Sequence, residues 1–287
     1  MMNSLFESLN LILLNVGYSD LNADWNWKDV HSPFARIYYV KGGTAKVHIG
    51  DQIHILKPDC LYIIPPFTLH EDECDCPFSL YYIHFYDNAN NKESIFDKYE
   101  FPTMIEASSL DLALVDRLLE INPDRYLKYI DPKVYDNSST FFQYIAYNKT
   151  MTQSVFIETQ SILSMLMSRF FEIANDKLSN KDVRITKSLQ YIHEHIDKNI
   201  SITELAGLSC VSEDHFIRLF KKEMNQTPLK YINQKKIEKA QLLLLTTDMQ
   251  VCDIAMELSM YTTSYFNKIF KQYIGKTPLQ YREENTK

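Results

Sequence analysis

The stretch Phe216-Ile-Arg-Leu-Phe220-Lys-Lys-Glu-Met-Asn-Gln-Thr227-Pro228-Leu229-Lys-Tyr231 returns as Phe266-Asn-Lys-Ile-Phe270-Lys-Gln-Tyr-Ile-Gly-Lys-Thr277-Pro278-Leu279-Gln-Tyr281, at a constant offset of 50 residues. Upstream the offset is 49, with Leu205-Ala206 matching Ile254-Ala255, so the second copy has one extra residue in its turn. Self-similarity of this kind marks a duplicated supersecondary unit. Each copy reads as a short helix, a turn and a longer helix. Ser201-Ile-Thr-Glu204 has capping-box spacing, in which the serine and glutamate side chains satisfy the free amides of a helix start. This helix is predicted to run to about Ser209, and a new start at Ser212 opens the longer one. There Phe216, Leu219 and Phe220 fall at i, i+3 and i+4 and form one apolar stripe, repeated as Phe266, Ile269 and Phe270. Thr227-Pro228 and Thr277-Pro278 each set an N-cap before a proline, at a helix position where the missing N–H costs nothing.

Opposite the stripes lie Asp214, Ile217, Arg218, Lys221 and Lys222 in the first copy, and Ser264, Asn267, Lys268 and Lys271 in the second. On a single helix such a face would most simply be a solvated one. A short helix, a tight turn and an amphipathic second helix, made twice, is the form in which a helix is offered to the major groove. Between the copies, residues 228–245 carry apolar Leu229, Ile232, Ile237, Ala240 and Leu244. They predict a helix roughly 27 Å long at 1.5 Å per residue. Successive major-groove faces lie about 34 Å apart, so a rod of that length can space two recognition helices. A stiff rod would ask the DNA to bend, at a cost of order 1–6 kcal/mol.

These residues resemble the AraC-type family of bacterial transcription regulators, and the resemblance covers residues 182–287. Its most specific part runs from Asp253-Ile-Ala through Ser264-Tyr-Phe266 to Thr277-Pro278. The resemblance carries the family's base-reading positions onto Asp214, Ile217 and Arg218 in the first unit and onto Thr263, Ser264, Tyr265, Asn267 and Lys268 in the second. Arg218 suits a bidentate contact to guanine, Asn267 suits adenine, and Ile217 suits a thymine methyl. Lys221, Lys222 and Lys271 suit phosphates, which position the protein without reading sequence. Asp214 either accepts from cytosine N4 or complements the dipole at its helix start. Where the family commonly has glycine in each turn this chain has Cys210 and Ser259. Cys210 and Cys252 are expected to be small buried residues.

Ahead of this region the period changes. Arg36-Ile-Tyr-Tyr-Val40, Lys46-Val-His-Ile49, Ile53-His-Ile-Leu56, Leu61-Tyr-Ile-Ile64 and Leu80-Tyr-Tyr-Ile-His-Phe85 read as short strands, and residues 9–16 as a buried one. Gly42-Gly43, Gly50-Asp51, Pro58-Asp59 and Pro65-Pro66 separate them, the pattern of a small sandwich or barrel. The run from Gly43 to His70 resembles the cupin-type sensor barrel often fused to AraC-type DNA-binding domains. Trp27, Arg36, Tyr38, Tyr82 and His84 combine stacking surfaces with hydrogen-bonding ends, the mix expected of a polar ligand's pocket. A sugar would suit such aromatic faces flanked by Arg and His; filling of the barrel core is the plainer alternative for each residue. No His-x-His occurs in this half, and Cys74 and Cys76 lack a second close pair, so no metal and no cofactor are expected. Residues 110–121 and 156–173 show helical spacing, and in the family equivalent helices also form the dimer contact.

The expected fold is therefore α+β: a cupin-like barrel with helices over residues 1–175, a polar linker at 176–183, and two helix-turn-helix units joined by a linker helix over 184–287. A net charge of -7 seems to argue against nucleic acid, yet residues 182–287 hold 15 basic and 13 acidic side chains, against 15 and 24 in the remainder. Affinity depends on where the cations sit, so this balance decides little. Five cysteines and no export signal suggest reduced thiols in a cytoplasm. The expected partners are double-stranded DNA, a small-molecule effector and a second copy of the chain, with RNA polymerase a further candidate and no membrane. No catalytic constellation stands out, and no enzyme is expected.

Overall fold

The computed structural model describes residues 9–88, 93–136, 138–260 and 262–284. The described chain forms two compact units, one of residues 9–88 and 99–175, the other of residues 93–98 and 176–284.

The first unit is built on antiparallel strands. In chain order they are β1 (Leu11–Leu21), β2 (Trp27–Val30), β3 (Ala35–Gly43), β4 (Ala45–Ile49), β5 (Gln52–Leu56), β6 (Cys60–Ile64), β7 (His70–Glu73) and β8 (Phe78–Asp87). After β8 come the one-turn helix α1 (Ile95–Lys98), which belongs to the second unit, and the short strands β9 (Tyr99–Glu100) and β10 (Met104–Glu106). One sheet has the order β1-β8-β3-β6-β10, the other β2-β7-β4-β5. Alternation explains the core. Tyr38, Val40, Tyr62, Ile64, Leu80 and Tyr82 from the first sheet meet Ala45, Val47 and Leu56 from the second, and Cys74 just past β7, in one cluster. Helices α2 (Ser109–Ile121), α3 (Pro132–Tyr135), α4 (Ser138–Thr150) and α5 (Gln153–Phe171) follow, and α2, α4 and α5 pack on β1. The apolar stripe of α5, Ile162, Leu163, Leu166 and Phe170, is therefore buried.

Three strands depart from the sequence expectation, one in its burial and two in being present at all. β5 is an edge strand whose Ile53 and Ile55 are about 60% and 61% exposed, so only Leu56 reaches the core. β2 and β7 were not predicted, because Trp27–Val30 and His70–Glu73 carry too few apolar residues to show a period.

After β11 (Asn175–Asp176), the second unit comprises α6 (Val183–Glu194), α7 (Ile202–Leu208), α8 (Glu213–Met224), α9 (Pro228–Thr246), α10 (Val251–Glu257), α11 (Thr263–Ile274) and α12 (Pro278–Glu284). It has two cores. Ile185, Leu189, Leu205, Phe216, Phe220 and Ile232 form the first, while Ile237, Ala240, Leu244, Ile254, Phe266 and Phe270 form the second. Helix α9 contributes to both, Ile232 on one side and Ile237 to Leu244 on the other, so it is a rod packed into each half. Leu229 departs from expectation: it is about 54% exposed, as is its repeat Leu279. Tyr231 and Ile232 turn the start of α9 toward the first core and leave Leu229 on the outer side. Helix α1 is tied into this unit by Asp97, whose carboxylate accepts from Lys235 Nζ at 2.5 Å.

Candidate nucleic-acid interface and ligand pocket

Each longer helix of the repeat is fixed by its ends. Ser212 caps α8 by accepting from the His215 amide, and Thr262 caps α11 by accepting from that of Tyr265. Both helices stop in a left-handed residue, Asn225 and Gly275. The turns ahead of them also match. The amide of Val211 donates to Ala206 O at 3.1 Å, and that of Met260 to Ala255 O at 2.9 Å. This bond needs a left-handed residue just before it, and Cys210 and Ser259 have φ of 53° and 46°. That is why glycine suits these positions. It also corrects the expectation that the cysteines are buried: Cys210 points out of the turn and Cys252 out of the first turn of α10, and both are exposed. The extra residue of the second copy lies between Ser259 and Thr262, since Ser259 still matches Cys210 at an offset of 49 while Thr262 matches Ser212 at 50.

With Phe216 and Phe220 buried, α8 turns Asp214, Arg218, Lys221 and Lys222 to solvent, with Ile217 half-buried. With Phe266, Ile269 and Phe270 buried, α11 exposes Thr263, Ser264, Lys268 and Lys271, while Tyr265 and Asn267 are half-buried. Among the described residues Arg218, Lys221, Lys222, Lys268 and Lys271 make no ion pair. The Asn267 Oδ1 atom is buried without a hydrogen bond.

The first unit does the opposite and turns its chemistry inward. The β3–β8 register sets Arg36 beside His84 and Tyr38 beside Tyr82. Gly17 on β1 lets Tyr82 in, since a Cβ there would collide with the Tyr82 hydroxyl. Tyr38, Tyr82 and His84 line one cavity together with Trp25, Leu127, Ile130 and Tyr135. Arg36 adjoins it: its Nη2 donates to Ser32 Oγ at 2.6 Å and to Tyr135 Oη at 3.5 Å, and its guanidinium lies 4.5 Å over the Phe34 ring. Ser32 Oγ in turn donates to the Asp136 carboxylate. Trp27 is half-buried, packs on the same core and leaves its indole N–H without a hydrogen bond.

Burial sets the charges here. It pushes the Asp72 carboxyl up to about 7 and that of Asp136 up to about 6. Burial, then the nearby Arg36 cation, pushes His70 down to about 3 and His84 well below its ordinary value. Burial opposes the charge on Arg36 as well, but the phenols of Tyr135 and Tyr38 and the Asp136 carboxylate hold it protonated. Arg36 Nε, His70 Nε2, Asp72 Oδ1, His84 Nδ1 and Asp136 Oδ1 are all buried without a hydrogen bond. Buried polar atoms are normally paired, so this concentration in one interior is exceptional. Ser32, Asp72, Tyr135 and Asp136 were missed in the sequence: none stands in a periodic stretch, and only the fold brings them to Arg36. Among the described residues no group of three His, Cys, Asp or Glu is placed to hold a metal ion, and no helix is long and apolar enough to cross a membrane.

Two family descriptions match the chain, an AraC-like ligand binding domain over residues 16–89 and a helix-turn-helix domain over residues 205–284. Together they take in about half of it. The chain is 32% identical over 106 residues to YdeC, an uncharacterised HTH-type transcriptional regulator of Bacillus subtilis (strain 168), matching 37% of this chain and 36% of that protein. It is 29% identical over 124 residues to the arabinose operon regulatory protein of Escherichia coli (strain K12), or 42% of each chain. It thus spans about two fifths of the length of the curated relatives it matches. A crystal structure of apo ToxT from Vibrio cholerae strain SCE256 aligns with 94% of this chain and 97% of its own at a TM-score of 0.50 and 13% identity, a likeness of fold. The chain joins an AraC-like ligand binding domain to a helix-turn-helix domain, a two-part design. The chain belongs to the AraC-type family.

Proposed function

We propose that this protein is a sequence-specific DNA-binding transcription regulator, controlled by a small-molecule effector bound inside the barrel of its first unit. The single observation that carries the DNA reading is the duplicated helix face: α8 and α11 are capped, turned and packed alike, each bears exposed cations without ion pairs among the described residues, and α9 is held in both cores. In this reading Arg218 contacts guanine, Ile217 a thymine methyl and Asn267 adenine, with Thr263, Ser264, Tyr265 and Lys268 completing the second helix and Asp214 at the margin of the first. Lys221, Lys222 and Lys271 neutralise phosphates. Trp27, Arg36, Tyr38, Tyr82 and His84 contact the effector. The protein acts in the cytoplasm as a homodimer, contacts RNA polymerase, and is no enzyme.

Electrophoretic mobility shift with DNA from upstream of the gene tests this. The expected result is a specific complex whose affinity falls steeply with salt, because bound phosphates release their counterions. Binding insensitive to salt would point to a helical protein-interaction module instead. Stoichiometric iron, manganese or zinc in the purified protein would favour a metal-dependent enzyme.

A further inference from the structure

The barrel interior is covered by its own chain. Residues 126–136 form a strap whose Leu127, Ile130 and Tyr135 point into the cavity, while Tyr126, Tyr129 and Val134 are exposed. The strap is pinned at one end by Arg125, a buried guanidinium that donates to Leu13 O and Leu14 O at 2.7 and 2.8 Å. Along its length it is held by the Leu127 amide donating to Tyr82 Oη at 2.7 Å. At the other end it is locked by Asp136, which accepts from Ser32, and by Tyr135, which accepts from Arg36. The space left beneath is a cavity of about 30 Å³, room for a water or two. Ligand pockets run to about 300–1,000 Å³, so a ligand enters only if the strap lifts.

What the strap covers suggests what lifts it. Arg36 is about 1% exposed and makes no ion pair among the described residues. A buried guanidinium without a carboxylate partner is costly. Its hydrogen-bonded link to one is indirect, through Ser32 to Asp136, and Asp136 is carried by the strap. We propose that residues 126–136 are a gate, and that Asp136 at its end holds the place of an acidic effector: a small carboxylate takes over the donors of Ser32 and Arg36, releases Asp136 and lifts the strap. The exchange leaves the charge count of the interior unchanged, one carboxylate leaving as another enters. Trp27 Nε1, His70 Nε2 and His84 Nδ1 remain to bond the ligand's other polar groups. A neutral sugar suits the aromatic faces but gives the guanidinium no counter-charge.

This rests on reading the barrel as the effector domain. The chain's two tryptophans, Trp25 and Trp27, both lie in this unit, so their fluorescence reports the site in the full-length protein. It is titrated with benzoate, succinate and pyruvate, and with benzamide, L-arabinose and D-xylose as neutral controls. The expected result is a saturable change with at least one acid and none with the neutral compounds. Asp136→Asn removes the internal competitor. If the lock holds the gate shut in about nine of ten molecules, the variant binds that acid about tenfold more tightly, because affinity scales with the open fraction. Arg36→Gln abolishes the response; should that variant fail to fold, the Asp136→Asn comparison decides alone. A response to a sugar with the acids silent overturns the acid class and leaves the barrel a sensor. An acid affinity unchanged by Asp136→Asn overturns the gate. Silence from every compound, in wild type and in Asp136→Asn, overturns both the inference and the effector reading.

Discussion

The two units spend their polar residues in opposite directions. In the barrel, Arg36, His70, Asp72 and His84 are turned inward and left incompletely hydrogen-bonded. In the helical unit the two cores of α8 and α11 are apolar, and Arg218, Lys221, Lys222, Lys268 and Lys271 all stand in solvent. An unsatisfied interior costs stability and is kept where something must be received. An exposed row of cations costs little and serves a partner too large to be enclosed. In the function proposed above, the difference separates a receiving site from a docking face within one chain.

Core truncation breaks the helical side alone. Phe270→Ala removes a fully buried ring and should cost about 3–5 kcal/mol. Thermal melting followed by circular dichroism should show the loss of helix, while the tryptophan fluorescence of the barrel keeps its wild-type form. Arg218→Ala acts on the face and not the fold. DNA affinity should fall by about 1–3 kcal/mol with relaxed preference at one base pair, measured by mobility shift on a set of single-base variants, and the melting temperature should stay put.

The barrel side is sharpened by pH. Burial raises the Asp72 carboxyl from 3.8 to about 7, so the folded chain gives up this proton later than the unfolded one. The stability tied to Asp72 is thus intact below about pH 4 and is lost as pH rises through 7. Asp72→Asn should leave melting unchanged at pH 4 and raise it by up to roughly 10 °C at pH 8. His70 and His84 shift the other way but are present in both proteins, so the difference between them isolates Asp72. The smallest effect is in the turn. Cys210→Gly relieves a left-handed non-glycine residue and should stabilise the helical unit by about 0.5–1 kcal/mol in denaturant unfolding.

The same contrast governs what could be read in advance. Stripes at i, i+3 and i+4 and the Thr-Pro caps are local features, so the duplicated helices, the extra turn residue and the rod from Pro228 were legible from residue order alone. Arg36, Tyr38, Tyr82 and His84 were legible because they alternate on β3 and β8. Ser32, Asp72, Tyr135 and Asp136 were not: their meaning is a contact with Arg36, and Asp136 is 100 residues away along the chain. Nor does residue order reveal that Asp97, which follows β8, belongs to the helical unit, because its partner Lys235 lies far along the chain.

DNA footprinting with the purified full-length protein tests the central claim most directly. Two helix-turn-helix units on one rod predict protection of two major-groove segments about one helical turn apart for each chain, with the pattern lost in a protein carrying both Arg218→Ala and Lys268→Ala. Protection of a single segment, or a footprint that survives both substitutions, would contradict it.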